Sequence, residues 1–168
     1  VWLVPVGVRA LPVVVPSFEY AEKIIDAMAA LLIRDPSQFD VIVTTNMYGD
    51  ILSDEASEIA GSLGMAASLN TGEKFAMAQA QHGSAPSLAG KDQANPSSLI
   101  GSAAMLLRWI GERREAPQFL AAADAIEQAI KQAVATASTR TADLGGSLGT
   151  SAFTNRLLAM IKKHNPKR

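Results

Sequence analysis

The segment Phe39–Ala60 restricts the possible fold more than any other part of this chain. Phe39–Thr45 reads F-D-V-I-V-T-T, and its β-branched residues predict a short buried strand. Asn46–Gly49 predicts a turn, and Asp50–Ala60 predicts an amphipathic helix with acidic residues in its first turns. A strand, a glycine-containing turn and a helix in that order are typical of α/β proteins, so we expect an α/β fold.

Apolar periodicity and helix-start signals predict the remaining elements. A helix begins at Asn95-Pro96 and runs to about Trp109, because asparagine can cap and proline suits the first helical position. Its inward-facing residues are expected to be Leu99, Ala103, Leu106 and Leu107. The other predicted elements are a strand over Met65–Leu69 and helices over Tyr20–Ile33, Phe119–Ala137 and Thr150–Lys163, the last capped by Thr150 or Ser151.

The composition excludes several classes of protein. With 168 residues, the chain suits one domain or half of a two-domain protein. The absence of cysteine excludes disulfide scaffolds, thiolate zinc sites and cysteine nucleophiles. A net charge of −1 argues against binding to nucleic acid, and no apolar run is long enough to span a membrane. The apolar start over Val1–Val15 lacks the features of a signal peptide, so a cytoplasmic location is expected.

Asp50 and Asp54 are the first candidates for a functional site. They lie four residues apart on a predicted helix, so their carboxylates project from one face. Like charges at this spacing repel, whereas a hard cation such as Mg²⁺ or Mn²⁺ between them would reverse that sign. The alternative is a pair of solvated acids near a helix N-terminus, where the helix dipole favours them. Asp26 is a third candidate, and taken alone it is expected to face solvent on an amphipathic helix.

The polar, glycine-bearing loop His82–Asn95 is the second candidate site. Glycines let backbone approach a flat or charged ligand closely, and His82 and Asn95 offer hydrogen-bonding groups. The loop is neither a G-x-G-x-x-G dinucleotide fingerprint nor a phosphate-binding P-loop. No G-x-S-x-G elbow exists to supply a nucleophile for His82. A purely structural turn is the alternative interpretation.

A third loop, Thr139–Gly149, is rich in glycine and threonine. Within it, Arg140 has two possible partners, which are a bound phosphate and Asp143. The sequence leaves both open, and an ordinary helix-to-helix connection remains the alternative to a binding loop.

Four motifs in one order carry a family resemblance. The two most specific are N-M-Y-G-D-I-L-S-D-E-A at Asn46–Ala56 and H-G-S-A-P…G-K…A-N-P at His82–Pro96. I-I-D-A-M-A…F-D-V-I-V-T at Ile24–Thr44 and D-L-G-G-S-L-G-T-S-A-F-T at Asp143–Thr154 fit the same pattern. Together they resemble the isocitrate and 3-isopropylmalate dehydrogenases, which are metal-dependent β-decarboxylating dehydrogenases. The resemblance covers the chain from about Ile24 to its C-terminus.

The resemblance implies a fold of two α/β domains that share a large mixed sheet, with the active site in the cleft between them. Residues 1–60 would be the C-terminal part of the second domain, which dimerises and binds metal. Residues 61–168 would be the C-terminal part of the first domain, which binds the cofactor, and the N-terminal half of the family fold is absent. The resemblance also implies that a strand precedes Asp26 and that a helix starts there, and we prefer this to a helix over Tyr20–Ile33.

The resemblance also implies a set of site residues. Asp50 and Asp54 would bind Mg²⁺ or Mn²⁺ together with the substrate. Asp26 would join the same metal from the neighbouring subunit of a homodimer with a shared active site. The residues that would hold the adenosine half of an NAD cofactor are His82, Gly83, Ser84, Ala85, Pro86, Ser87, Leu88 and Asn95.

NAD is preferred over NADP because of the residues at positions 87 and 88. NADP-using members of the family often carry lysine and tyrosine there, and Leu88 lacks a polar group to hold a 2′-phosphate. Ser87 also differs from the acid of many NAD-using members, which can bind the ribose hydroxyls. Gln79 stands at a position that is often glutamate.

The implied activity is the oxidation and decarboxylation of a 2-hydroxy diacid. 3-Isopropylmalate, an intermediate of leucine biosynthesis, is the favoured substrate, and isocitrate, tartrate and homoisocitrate are the alternatives. The family's proton-transfer tyrosine and lysine are expected in the absent half, so no catalytic residue is assigned and the chain alone is expected to be inactive. A non-catalytic subunit or remnant of the same fold is a second hypothesis, and a generic α/β interaction module is a third.

Overall fold

The computed structural model describes residues 19–164, so the apolar start at Val1–Val15 lies outside the described residues. The chain divides into two compact units, Val1–Ala60 and Gly61–Arg168, which we call the N-terminal and C-terminal units. Over residues 19–164, no helix combines the length and the apolar character needed to cross a membrane.

Two helices build the described part of the N-terminal unit. Helix α1 spans Ile25–Arg34, and helix α2 spans Asn46–Ala60. Asp35 ends α1, because the residue before a proline disfavours helical backbone and Pro36 follows it. The buried core of this unit consists of Met28, Leu32 and Leu52. This core is small, so much of the unit's apolar surface stays exposed.

The strand predicted over Phe39–Thr45 is wrong. Residues 41–45 have no regular secondary structure, and the side chain of Val41 is 72% exposed. A strand exists through hydrogen bonds to a neighbouring strand, and the only sheet among residues 19–164 is a two-stranded one elsewhere in the chain. The β-branched residues therefore favour a strand, but no other described segment pairs with this one.

The start of α1 agrees with the family resemblance and not with the apolar periodicity. The helix begins at Ile25, within one residue of the start at Asp26, so a helix over Tyr20–Ile33 is wrong in its first turn. Ile24 has extended backbone, and its carbonyl accepts the first helical hydrogen bond, from the amide of Met28 at 2.8 Å. No strand is present in residues 19–24, so that part of the expectation is wrong.

Helix α2 begins one turn earlier than predicted. The amide of Gly49 donates to the carbonyl of Thr45 at 2.8 Å, so helical hydrogen bonding runs through the segment Asn46–Gly49 that was predicted to turn. A single glycine costs a helix about 1 kcal/mol relative to alanine and does not stop it. Consequently no acidic residue lies in the first turn of α2.

Three helices and a hairpin build the C-terminal unit. The helices are α3 over Ser97–Arg113, α4 over Pro117–Ala135 and α5 over Thr150–His164. Strands β1, over Ala67–Thr71, and β2, over Ala76–Ala80, pair antiparallel. The core between α4 and α5 consists of Ala129, Ala133, Phe153 and Leu157. All three predicted helices are present, with ends that differ by up to four residues.

The predicted strand Met65–Leu69 is present but shifted by two residues. Leu63–Met65 forms a 3₁₀ turn, which the hydroxyl of Ser62 caps by accepting the amide of Gly64 at 3.0 Å. The strand therefore starts only at Ala67, which pairs with Ala80. His82, the first residue of the second candidate site, follows two residues after the end of β2.

Serines, and not leucines, form much of the buried face of α3. Ser98 and Ser102 are fully buried, whereas Leu99 is 59% exposed and Ala103 is exposed, so both were wrongly predicted to face inward. The hydroxyl of Ser102 accepts the amide of Ser68 at 3.0 Å and donates to the carbonyl of Gln79 at 2.7 Å. These hydrogen bonds join α3 to both strands. Apolar side chains could not pair with these backbone groups, because they form no hydrogen bonds.

Candidate functional site

Asp50 and Asp54 lie one turn apart within α2, and both side chains are exposed. Because the helix is continuous from Asn46, the two carboxylates project from the same side, as predicted. Neither residue lies in the first turn of α2, so the helix dipole stabilises their carboxylates only weakly. The alternative, in which both are solvated acids favoured by the helix N-terminus, depends on that stabilisation. Two like charges at this spacing repel unless a cation lies between them.

The chemistry of this pair suits a hard divalent cation. Carboxylate oxygens are the ligands that Mg²⁺ and Mn²⁺ prefer. Within the described residues the carboxylate of Asp50 makes no hydrogen bond or ion pair, so its oxygens remain available for a ligand. Asp50 and Asp54 therefore fit the predicted metal-binding role, with room for further ligands on the exposed side of α2.

Asp26 lies in the first turn of α1 with an exposed side chain, and its Oδ1 accepts the amide of Ala27 at 2.7 Å. Its solvent-facing position matches the expectation for this residue taken alone. Among residues 19–164, no group of three histidine, aspartate or glutamate side chains is arranged to hold a metal ion. The structure thus places Asp50 and Asp54 one helical turn apart in this chain, and it does not group Asp26 with them.

His82 stands at the entrance of the second candidate site, the His82–Asn95 loop. Its ring is partly buried, and Nδ1 lies 2.9 Å from the carbonyl of Gly83. Since a carbonyl oxygen only accepts, Nδ1 carries the proton in this hydrogen bond, and Nε2 is left for another partner. Ser84, Ala85, Pro86, Ser87 and Leu88 are all exposed.

The middle of this loop has an uncommon backbone. Ala85 adopts the left-handed region with φ 42° and ψ 60°, directly before the 3₁₀ turn Pro86–Leu88. A non-glycine residue in the left-handed region destabilises the fold by on the order of 1 kcal/mol. Such residues are often found in ligand-binding segments. A Cβ added at Gly83 would meet no atom within 4 Å, so the loop has open space beside it.

Asn95 closes the loop and is only 7% exposed. Its Oδ1 accepts the amide of Ser97, the first residue of α3, at 3.0 Å. The N-cap position of α3 is Pro96, so the helix starts one residue later than the predicted cap at Asn95 requires. Its Nδ2 donates to the carboxylate of Asp143 at 2.9 Å. Much of the hydrogen-bonding capacity of this amide is therefore used within the protein, and its primary role here is to anchor the loop.

Asp143 is the centre of a polar cluster that sequence reasoning missed. Its carboxylate accepts hydrogen bonds from Ser62, Asn95 and Thr141. Partial burial would by itself raise the pKa of Asp143, but these three donors and the backbone amide of Asp143 outweigh burial, and the pKa is lowered. The cluster joins three segments that are far apart in sequence, so no local pattern indicates it.

The side chain of Arg140 contacts backbone carbonyls of α4 and not Asp143, one of the two partners that the sequence left open. Its Nε donates to the carbonyl of Val134 at 2.6 Å, and its guanidinium also reaches the carbonyl of Ala135. These carbonyls belong to the last turn of α4, where an arginine complements the helix dipole. The sequence feature that could have predicted this contact is an arginine five residues after the end of α4.

Asp92 is a second residue that sequence reasoning missed. It has a left-handed backbone with φ 53°, and its Oδ1 accepts both the amide of Ser151 at 2.8 Å and its hydroxyl at 2.7 Å. These two bonds lower the pKa of Asp92, because they stabilise its ionised form. The cap of α5 is therefore Asp92, and the prediction that Thr150 or Ser151 caps this helix is wrong. The capping residue lies 59 positions upstream, beyond the reach of a local capping pattern.

Comparison with known proteins identifies relatives along most of the chain. Residues 10–157 match the family model described as isocitrate/isopropylmalate dehydrogenase. A 3-isopropylmalate dehydrogenase of Saccharolobus solfataricus is 46% identical over 128 residues, which are 76% of this chain and 38% of that protein. A homoisocitrate dehydrogenase of Methanocaldococcus jannaschii is 44% identical over 147 residues, covering 88% of this chain and 40% of that protein.

Solved structures show the same similarity in three dimensions. The crystal structure of isocitrate dehydrogenase from Methylococcus capsulatus matches 92% of this chain with a TM-score of 0.83 and 35% identity. The match covers 44% of that structure. The chain therefore spans about two fifths of the length of the relatives that it matches.

Proposed function

The chain belongs to the isocitrate/isopropylmalate dehydrogenase family, and from this premise we propose that it contributes the metal ligands and the nucleotide-binding loop of an NAD-dependent β-decarboxylating dehydrogenase. The proposed reaction is the oxidation and decarboxylation of a 2-hydroxy diacid with Mg²⁺ or Mn²⁺. 3-Isopropylmalate is the favoured substrate. The single observation that carries the proposal is the exposed pair Asp50 and Asp54 on one side of α2, outside its first turn.

Each half of the proposed site has its own task. Asp50 and Asp54 bind and orient the divalent cation, and aspartates suit this because they stay ionised at neutral pH. His82 and the exposed backbone of residues 83–88 receive the adenosine half of the cofactor. When bound, the cation supplies Lewis-acid polarisation of the substrate and the nicotinamide supplies the hydride acceptor.

The proposed working unit is a homodimer in which Asp26 serves the neighbouring subunit's metal. Asp26 is exposed on α1 and belongs to no group of three potential metal ligands among residues 19–164, which suits a ligand given to another subunit. Such sharing requires a two-fold arrangement, since each subunit must both give and receive one aspartate.

Two alternatives have specific support. Some of the similar proteins are named homoisocitrate or isocitrate dehydrogenase, so these diacids are alternative substrates. The chain spans about two fifths of the length of these relatives, and a non-catalytic subunit or fragment of the same fold is the second candidate. Activity then depends on the family's remaining residues being supplied.

The primary test measures Mn²⁺ binding to the 168-residue chain by calorimetry and electron paramagnetic resonance. The double variant Asp50→Asn with Asp54→Asn should abolish saturable binding, because both carboxylate ligands lose their charge. Asp40→Asn, which also removes an exposed carboxylate from the same unit, is the matched control and should bind as the wild type does. Equal binding by the double variant and the wild type contradicts the metal site.

The second test addresses substrate and cofactor. The chain, joined with an upstream half if its gene encodes one, is assayed against 3-isopropylmalate, isocitrate, homoisocitrate and tartrate, with NAD or NADP and Mn²⁺ present. Turnover of 3-isopropylmalate with NAD supports the favoured substrate. Metal and nucleotide binding without turnover of any diacid by the joined protein supports the non-catalytic candidate.

A further inference from the structure

The His82–Asn95 loop contacts the rest of the C-terminal unit near its two ends. In the part of the chain that the structure describes, residues 83–94 are all exposed, and neither Gly83 nor Gly90 has an atom within 4 Å of its would-be Cβ. On the entry side, the amide of Gln81 lies 3.3 Å from Ser98 Oγ. With so few contacts along its length, the loop must take its conformation from its ends.

The exit end is attached to the first turn of α5. The carboxylate of Asp92 accepts the amide and the hydroxyl of Ser151, and its carbonyl accepts the amide of Thr150 at 3.0 Å. The hydroxyl of Thr150 in turn donates to the carbonyl of Ala94 at 2.5 Å. Four hydrogen bonds therefore join two residues of the loop to two residues of α5, and we call this group the loop clamp.

Gly149 allows this close approach. A Cβ at position 149 would lie 2.5 Å from the carbonyl oxygen of Asp92, a separation that real Cβ atoms essentially never show. Asp92 itself has positive φ, which aspartate tolerates better than most residues. The two backbones thus meet at a point where the residue type is restricted on both sides.

Backbone hydrogen bonds connect the residue before Asp92 to the middle of the loop. The amide of Lys91 donates to the carbonyl of Leu88 at 3.1 Å, and the amide of Leu88 donates to the carbonyl of Ala85 at 2.9 Å. These turns form an unbroken series from Ala85 to the residue next to the clamp. We therefore expect a shift at Asp92 to move the exposed segment 85–88.

We propose that Asp92 is a positioning residue for nucleotide recognition, which acts by capping α5 through Ser151 and so holds the His82–Asn95 loop in its ligand-receiving conformation. The inference rests on the proposed function, since it concerns the loop assigned there to the cofactor. In this proposal Asp92 does not contact the nucleotide directly. Its effect reaches the ligand only through the conformation of residues 83–91.

Three variants of the 168-residue chain separate this role from general stability. Asp92→Gly keeps the positive φ but removes the capping carboxylate, whereas Asp92→Asn keeps both a tolerant backbone and an acceptor oxygen. Asp124→Ala removes an exposed carboxylate that pairs with Arg108 on another surface, so it is the matched control. Two quantities are measured for each: amide hydrogen exchange of residues 83–91, and the dissociation constants of NAD and ADP-ribose.

Asp92→Gly should speed exchange in residues 83–91 by about five- to tenfold and weaken nucleotide binding by a similar factor, as expected for a lost cap. Asp92→Asn should restore both quantities to within about twofold of the wild type. Unchanged exchange of residues 83–91 in Asp92→Gly overturns the inference. If the wild type binds no nucleotide while exchange still rises in Asp92→Gly, the proposed function fails and the loop clamp stands.

A fourth variant, Ser151→Ala, covers the case in which Asp92→Gly speeds exchange throughout the C-terminal unit. Ser151→Ala removes the hydroxyl donor and keeps the amide donor, so the cap is weakened and not lost. Faster exchange confined to residues 83–91 in Ser151→Ala supports the positioning role. Exchange equal to that of the wild type in this variant contradicts it.

Discussion

The two units of this chain prepare their candidate sites in different ways. In the N-terminal unit, Asp50 and Asp54 share a side of α2 through helical spacing alone, and the core beneath consists of three buried side chains. In the C-terminal unit, the His82–Asn95 loop depends on contacts with residues about 50 to 60 positions away, at Asp143 and Ser151. The first site is a local property of the sequence, whereas the second is a tertiary one.

This difference implies different responses to substitution. Changes that disturb long-range contacts in the C-terminal unit should lower its stability and deform its loop. Changes at exposed apolar positions of the N-terminal unit should have little effect on the stability of this chain, because those side chains already contact water. The predictions below test that contrast, beginning with the largest expected effect.

Gly146→Ala should lower the free energy of unfolding by about 2–4 kcal/mol. A Cβ at this position would lie 2.1 Å from the carbonyl oxygen of Arg140, so the backbone of the loop that carries Asp143 must move. Urea denaturation followed by circular dichroism measures the change. Gly83→Ala is the matched control, since its Cβ would meet no atom within 4 Å, and it should change stability by less than about 0.5 kcal/mol. Equal effects of the two variants would contradict the close backbone approach at Gly146.

Asp143→Ala should lower the free energy of unfolding by about 2–3 kcal/mol, because the donors of Ser62, Asn95 and Thr141 lose a shared acceptor in a partly buried position. Asp124→Ala, which removes an exposed carboxylate, should have an effect below about 1 kcal/mol. Urea denaturation of both variants at neutral pH makes the comparison. A smaller loss in Asp143→Ala than in Asp124→Ala would contradict the role of the cluster.

The same variant predicts a pH dependence. The pKa of Asp143 is lowered by folding, so its stabilising contribution is present in full above its unfolded value, about 3.9, and is lost as pH falls through the lower folded value. The stability difference between the wild type and Asp143→Ala should therefore be constant near neutral pH and shrink in acid. Denaturation series from neutral pH to about pH 3 measure it. A difference that grows in acid would show that folding raises this pKa.

Ser102→Ala should lower the free energy of unfolding by about 1–2 kcal/mol, since it leaves the amide of Ser68 without its acceptor beside a buried helix face. Leu99→Ala should change it by less than about 1 kcal/mol, although leucine has far more apolar surface, because Leu99 is exposed on this chain. Thermal and urea denaturation of the pair provide the measurement. A larger loss for Leu99→Ala would show that Leu99 is packed in solution.

Val41→Ser should have the smallest effect, below about 0.5 kcal/mol, because the side chain of Val41 is 72% exposed in the N-terminal unit. Urea denaturation at several protein concentrations measures the change and detects association. A clear loss of stability that depends on protein concentration would mean that the segment 41–45 packs against another copy of the chain.

Sequence patterns alone predicted which residues could form the candidate site. The spacing of Asp50 and Asp54, the hydrogen bond from the amide of Ser97 to Asn95 and the family motifs depend on neighbours a few residues apart, so they can be read directly from the sequence. The helical elements were also predictable, because apolar periodicity is a local signal. Their ends were predicted less well, as α2 shows, since a single glycine does not stop a helix.

What only the tertiary structure decided are the features that need a distant partner. The segment after Phe39 has the composition of a strand but no strand to pair with among the described residues. The inward face of α3 is set by serines that reach the hairpin, and the cap of α5 is provided by Asp92. Hydrogen bonds between distant segments depend on how the chain folds back on itself, which no local pattern encodes. The sequence by itself thus determined which groups are available for chemistry, and the tertiary fold decided which of them are held in place.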